Sequence, residues 1–194
     1  MARSLANRLK YVNMADLTAP AAPDRKPANG ERAGRHGEPI WDIIELLFFA
    51  YRDFVTEPDD VLAKFGFGRA HHRVLHFVNR NPGMKVAELL DILKITKQSL
   101  GRVLKQLIDQ GYVVQKEGAN DRRQRLLYVT PKGETLAMKL AGLQTVRIAR
   151  ALSELGPNAH DATCRLLTAM INADHRDSVL RFIARADRAR RTRS

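Results

Sequence analysis

TKQSLGRVLKQLI, from Thr96 to Ile108, is the stretch on which the interpretation of the whole chain depends. Its apolar residues recur at i, i+3, i+4, i+7 and i+8, the spacing that places them on one stripe of an α-helix. They are Leu100, Val103, Leu104, Leu107 and Ile108. A stripe of this kind must face a core, so the sequence predicts an amphipathic helix with Thr96 as its N-cap.

The other face of this helix is polar and basic, and its first acidic residue is Asp109. Lysine and arginine can pair with phosphate or guanine, and glutamine can bond adenine, so this face is suited to a DNA major groove. For an isolated helix, a solvated polar face explains the pattern equally well. The candidates for DNA contact are Thr96, Lys97, Gln98, Ser99, Arg102 and Lys105.

The segments on either side favour DNA binding. Upstream, residues 86–93 are predicted to form a short apolar helix, which Lys94 and Ile95 join to the basic helix. The two helices together form a helix-turn-helix pattern. Downstream, Gly111 ends the basic helix and two strands, 112–116 and 124–129, enclose a turn-rich segment. The sequence therefore predicts a β-hairpin wing after the helix-turn-helix.

The tip of this hairpin is rich in arginine: Arg122, Arg123 and Arg125 lie beside a single acidic residue, Asp121. Such a tip is suited to a phosphate backbone or a minor groove. The alternative is an edge strand that charge protects from aggregation.

The hairpin and its exit resemble the MarR-type winged helix-turn-helix regulators. Their pattern, D-x-R-x-[KR], three residues, [LV]-T, two residues and G, matches the thirteen positions from Asp121 to Gly133. The resemblance covers about residues 40–171. It implies that Arg123 enters the minor groove and pairs with Asp121, although Arg122 could take that place. It also implies a fold that is mainly α with a small β-hairpin wing and N- and C-terminal dimerisation helices.

Composition agrees with a nucleic-acid binder. The 194 residues carry a net charge of +12, and Lys94 to Gly133 alone holds nine basic and three acidic residues.

No apolar run is long enough to span a bilayer, and no apolar segment typical of a secretory signal follows Arg3. The single Cys164 excludes an internal disulfide framework. We expect a cytoplasmic protein without a metal or cofactor. No phosphate-binding glycine loop, nucleophile elbow or sizeable metal cluster favours an enzyme.

The remaining segments complete the predicted organisation. Residues 1–37 form a basic, flexible arm, which either reaches a minor groove, remains solvated or packs on a partner subunit. The next segment, 38–68, contains a dimerisation helix that ends near Phe54, followed by a connection. The DNA-binding unit follows at 69–133. Dimerisation helices with a break at Gly156-Pro157 occupy 134–187, and a basic tail occupies 188–194.

Three histidines and the cysteine leave alternatives open. His72 and His76 are four residues apart and could share a metal or haem, but two ligands do not make a site, and core, interface or effector-pocket roles are favoured. In MarR-type proteins the cleft beside the winged unit often holds a small aromatic or anionic effector, which makes Arg52, His71 and His72 candidates. Cys164 is either an oxidant sensor or, as we favour, a buried inert thiol.

The sequence as a whole predicts a homodimeric regulator that binds a pseudo-palindromic operator in double-stranded DNA and acts as a ligand-responsive repressor. The alternatives are a sequence-tolerant, nucleoid-associated DNA-binding protein and a winged domain used for protein contacts.

Overall fold

The computed structural model describes residues 38–118, 121 and 124–191. The predicted N-terminal arm and the two wing residues Arg122 and Arg123 lie outside them. Along this part of the chain the elements are α1 (Trp41–Ala63), α2 (Arg69–Arg80), β1 (Met84–Lys85), α3 (Val86–Leu93), α4 (Lys97–Asp109), β2 (Val113–Glu117), β3 (Arg125–Val129), α5 (Pro131–Leu155), α6 (Ala159–Met170) and α7 (Ala173–Arg191). The predicted fold class, mainly helical with a small β wing, is confirmed.

The chain divides into two compact units, Met1–Asp53 and Phe54–Ser194. In the first unit the described residues include the beginning of α1, where large apolar side chains are exposed: Trp41, Ile43, Leu46, Leu47, Phe48, Phe49 and Tyr51. The second unit contains the helix-turn-helix, the sheet and the C-terminal helices.

The helix-turn-helix consists of α3 and α4, at the bounds that the sequence predicts to within a residue. Lys94 ends α3 in the left-handed conformation, with φ of 50°. Thr96 then begins α4: its hydroxyl oxygen accepts a hydrogen bond from the Ser99 amide at 3.1 Å. After α4, Gly111 adopts φ of 73°, a conformation that glycine takes without a steric cost.

The sheet has three strands in the order β1-β3-β2, all antiparallel, rather than the two strands of the predicted hairpin. β2 and β3 pair from Val113 opposite Val129 to Glu117 opposite Arg125. β1 adds Met84 opposite Leu127. A two-residue strand has no periodicity of its own, so only its pairing with β3 reveals it.

Three predicted helix boundaries are wrong. The first helix continues to Ala63 instead of ending near Phe54, although Pro58 removes one backbone donor. Val55, Pro58 and Leu62 are all buried, and at spacings of three and four residues they lie on one face. Packing of this face therefore keeps the helix intact past the proline.

The predicted last helix is divided in two at Ile171 and Asn172. The Asn172 carbonyl accepts the His175 and Arg176 amides at the start of α7. The Arg176 guanidinium donates to the carbonyls of Ala169 and Ile171 at the end of α6, at 3.0 and 3.1 Å. These bonds satisfy backbone groups that a helix end leaves without partners. α7 also remains helical to Arg191, beyond the predicted end at Arg188.

The core lies within the second unit, between the helix-turn-helix, the sheet and the beginning of α5. Its fully enclosed side chains include Leu75, Leu89, Leu100, Leu107, Leu127 and Leu140. The recognition-type helix α4 contributes Leu100, Val103, Leu104 and Leu107 to it, while Ile108 is partly buried. The predicted apolar stripe is confirmed.

Candidate nucleic-acid interface

The face of α4 opposite the core is open to solvent. Thr96, Lys97, Gln98, Ser99, Arg102 and Lys105 are all exposed, so the structure brings together the predicted contact residues of this helix. Lys105 pairs with Asp109 at 2.5 Å, and both side chains are more than half exposed. Within the described part of the chain, Lys97 and Arg102 make no ion pair. Two positive charges on this face are therefore uncompensated by a neighbouring carboxylate.

Backbone caps fix the direction in which α4 projects. The Arg73 guanidinium on α2 donates to the carbonyl of Leu93 at 2.9 Å, at the end of α3. At the other end of α4, Lys132 donates its Nζ to the Gln110 carbonyl at 2.9 Å, and its ammonium lies 4.2 Å from the centre of the Tyr112 ring. A cation at this end also suits the helix dipole.

The exit from the wing is packed backbone against backbone. Thr130 accepts the Gly133 amide at 3.1 Å through its hydroxyl oxygen and donates the hydroxyl to the Gly111 carbonyl at 2.7 Å. A Cβ at Gly133 would lie only 2.0 Å from the carbonyl oxygen of Tyr112. Threonine and glycine in the motif therefore join the end of α4 to the start of α5.

A chain of hydrogen bonds connects the loop before α2 with the last turn of α4. The Gly68 amide donates to Nδ1 of His71 at 3.1 Å, so the proton of the neutral imidazole is on Nε2. Nε2 lies 2.8 Å from Oε1 of Gln106, and the amide nitrogen of Gln106 donates to the Gly66 carbonyl at 3.2 Å. The His71 ring also stacks on Phe67, with the ring centres 4.7 Å apart.

The wing keeps its charged residues close to the turn. Arg125 begins β3 and lies 3.2 Å from the Glu117 carboxylate on the paired strand. The backbone carbonyl of Asp121 accepts a hydrogen bond from the backbone amide of Gln124 at 3.0 Å. The Asp121 carboxylate accepts one from the side-chain amide of Gln124 at 3.3 Å. The predicted pairing of Asp121 with Arg123 and the choice between Arg122 and Arg123 concern residues outside the described part.

The three effector candidates are divided between the two units. Arg52, in the first unit, donates to Asp53 at 2.8 Å, and this bond raises the pKa of the guanidinium. In the second unit, His71 is held as described above. His72 is buried, and burial lowers the pKa of its imidazole, while the Asp59 carboxylate acts in the opposite direction. A shared effector site stays a prediction.

Among the described residues, neither the histidine pair nor the cysteine belongs to a cluster of three potential metal ligands. No group of three or more His, Cys, Asp or Glu side chains within 38–118, 121 and 124–191 is arranged to hold a metal ion. The expected burial of Cys164 is wrong for the single chain, because the thiol is exposed. α6 buries only Ala159, near its beginning, and the Cys164 sulfur lies 3.9 Å from Nε2 of His160.

Sequence reasoning missed Gln106, Lys132 and the positioning role of His71. Their partners lie 35 and 22 residues away in the chain, so no local spacing indicates these contacts. The motif around Gly133 was found, but its close packing on Tyr112 was not. No helix among the described residues is long and apolar enough to cross a membrane.

Comparisons with known proteins agree with this geometry. Residues 65–124 match the model of the MarR family. The HTH-type transcriptional regulator PetP of Rhodobacter capsulatus is 46% identical over 129 residues, which cover 66% of this chain and 78% of the relative.

Solved structures of low sequence identity share the fold. A MarR family regulator from Listeria monocytogenes, complexed with a 26-mer DNA, gives a TM-score of 0.59 at 21% identity and covers 74% of this chain and 93% of its own. The structure of Streptococcus pneumoniae FabT in complex with DNA gives a TM-score of 0.61 at 15% identity. This match covers 68% of this chain and 94% of FabT.

Proposed function

Because the chain belongs to the MarR family of transcriptional regulators, we propose that it binds a pseudo-palindromic operator in double-stranded DNA as a homodimer. Each subunit inserts α4 into a major groove and lays its wing along the flanking backbone. The observation that supports this proposal is the exposed face of α4, where Lys97 and Arg102 have no acidic partner among the described residues while the helix itself is fixed at both ends.

The residues divide into two roles. Lys97, Gln98, Ser99 and Arg102 contact base edges, and Lys105, Arg122 and Arg125 contact phosphates, with Arg123 in the minor groove. A bidentate arginine contact with a base discriminates by about 1–3 kcal/mol, whereas a phosphate contact carries no sequence information. Loss of Arg102 should therefore relax the preference at one base pair, and loss of Arg123 should weaken operator binding without unfolding the protein.

The dimer rests on apolar surface that the single chain leaves exposed. In the second unit Leu155, Leu166, Leu167 and Met170 are all more than half exposed. In the first unit Trp41, Leu46 and Phe48 are exposed to a similar degree. Large apolar side chains exposed in such numbers typically mark an interface between proteins. Sedimentation equilibrium of the full chain should give twice the mass of one chain.

The protein acts, in this proposal, as a repressor that a small aromatic or anionic ligand releases from DNA. His71 bonds to Gln106 on α4, so a ligand that takes this imidazole as its partner would disturb the helix that reads DNA. Benzoate, titrated into a preformed complex of protein and operator, should lower the anisotropy of labelled DNA. His71→Gln should bind the operator but lose this response; an unchanged response would remove His71 from the effector site.

The decisive experiment is recovery of genomic fragments by the purified protein at low and high salt. One palindromic motif that persists at high salt supports a specific regulator, because non-specific binding is almost entirely electrostatic. Broad recovery that disappears with salt supports the nucleoid-associated alternative. Three variants then separate the possible roles. Arg102→Ala tests a base contact and Arg123→Ala tests a contact in the minor groove. Arg165→Ala, on α6, is the matched control for simple loss of a positive charge.

A further inference from the structure

The exposed surface of α4 includes one glycine, Gly101, on the flank of the basic face. Gly101 lies four residues after Lys97, three after Gln98 and four before Lys105, so it borders these three candidate contact residues on the helix surface. It is exposed, and a Cβ built on its backbone would meet nothing within 4 Å.

A glycine inside a helix is unfavourable compared with alanine, because its backbone loses more conformational entropy on folding. Elsewhere in the chain a helical glycine is required by packing: at Gly133 a Cβ would lie 2.0 Å from the Tyr112 carbonyl oxygen. No such neighbour exists at Gly101 within the described part of the chain. Packing inside one chain therefore does not account for the missing side chain.

We propose that Gly101 is a specificity-determining residue, whose missing side chain lets the backbone of α4 approach the base edges closely. The inference rests on the proposed function. The major groove of B-DNA is about 12 Å wide and a helix with its side chains about 10–12 Å across, so a methyl group on the DNA side alters the depth of insertion. At the greater depth Gln98 and Arg102 reach the bases.

The test compares Gly101→Ala, Gly101→Ser and the control Gly142→Ala in the full chain. Gly142 is also exposed, inside helix α5, with nothing within 4 Å of its Cβ position, and it lies outside the proposed DNA-contact residues. The probes are one duplex selected by the wild-type protein from a random-sequence pool and a scrambled duplex of equal length. Affinities are measured at one fixed salt concentration, and the mass of each variant confirms its oligomeric state.

We expect both alanine variants to be at least as stable as the wild type. Gly142 lies in a predicted dimerisation helix, so Gly142→Ala is compared at equal oligomeric state, where it should bind both duplexes as the wild type does. Gly101→Ala should bind the scrambled duplex normally but the selected duplex roughly tenfold more weakly, as one overpacked methyl group implies, and Gly101→Ser should lose still more. A second selection with Gly101→Ala should return a less defined motif.

The proposal would be overturned by an unchanged ratio of selected to scrambled affinity, by an equal loss on both duplexes, or by a Gly101→Ala protein less stable than the wild type. A loss that is the same for alanine and serine would also overturn it, since it would indicate helix flexibility instead of a steric limit. If the wild type itself does not distinguish the two duplexes, the proposed function fails, and this inference fails with it.

Discussion

Gly133→Ala should destabilise the protein severely because the new methyl group has no room. Its Cβ would lie 2.0 Å from the carbonyl oxygen of Tyr112, so the start of α5 must move away by about 1 Å or more to restore a normal contact. Three hydrogen bonds join the same segments: Thr130 to Tyr112 at 3.0 Å, Thr130 to Gly111 at 2.7 Å and Lys132 to Gln110 at 2.9 Å.

Overpacking typically costs about 1–3 kcal/mol, and a hydrogen bond contributes about 1 kcal/mol net. Overpacking together with partial loss of these bonds should lower the free energy of unfolding by about 2–5 kcal/mol. Gly142→Ala, in the same helix but in open space, should instead raise it by about 0.5–1 kcal/mol.

Urea unfolding followed by far-ultraviolet circular dichroism measures both variants. The chain concentration must be identical, because the proposed dimer formation would be linked to stability. The slope of the transition should be unchanged, so that the shift in midpoint reports stability. A Gly133→Ala midpoint equal to or above that of the wild type would refute the close approach of α5 to Tyr112. The same sign for both variants would refute the contrast between the two sites.

Two further predictions concern the cap of α4 and the buried histidine. Thr96→Ala removes the acceptor of the Ser99 amide and should cost about 1 kcal/mol in urea unfolding, whereas Thr96→Ser should restore most of it; equal stability of all three proteins would contradict the cap. Burial keeps the pKa of His72 below its ordinary value of 6.5, so the unfolded chain takes up a proton first as pH falls. Stability should therefore decrease from about pH 7 to about pH 5, and less steeply in His72→Gln; identical slopes would contradict this assignment.

The sequence was sufficient to predict the bounds of an element wherever a local chemical feature begins or ends it. Thr96 and the Thr130-Pro131 pair begin helices, and Gly111 and Gly156 follow helices with positive φ, so the bounds of α4 and α5 were predictable. The exposed basic face of α4 was predictable for the same reason, since one apolar stripe determines which residues remain outside.

The errors arise where a contact distant in the chain decides the outcome. Pro58 suggests a break, yet the burial of Val55 and Leu62 keeps α1 helical around it. β1 exists only because Met84 pairs with Leu127. Asn172 is a suitable residue to begin a helix, but the apolar pattern on both sides of it concealed the division between α6 and α7.

The positioning contacts of α4 explain how a small helix can present its face reproducibly. Arg73 ties the end of α3 to α2, His71 ties Gln106 to α2, and Lys132 ties Gln110 to α5. Each bond contributes only about 1 kcal/mol, but together they act at the end of α3, in the last turn of α4 and at the C-cap of α4. Because the apolar stripe also anchors α4 in the core, a displacement of α2 or of the start of α5 should turn α4 as a rigid body.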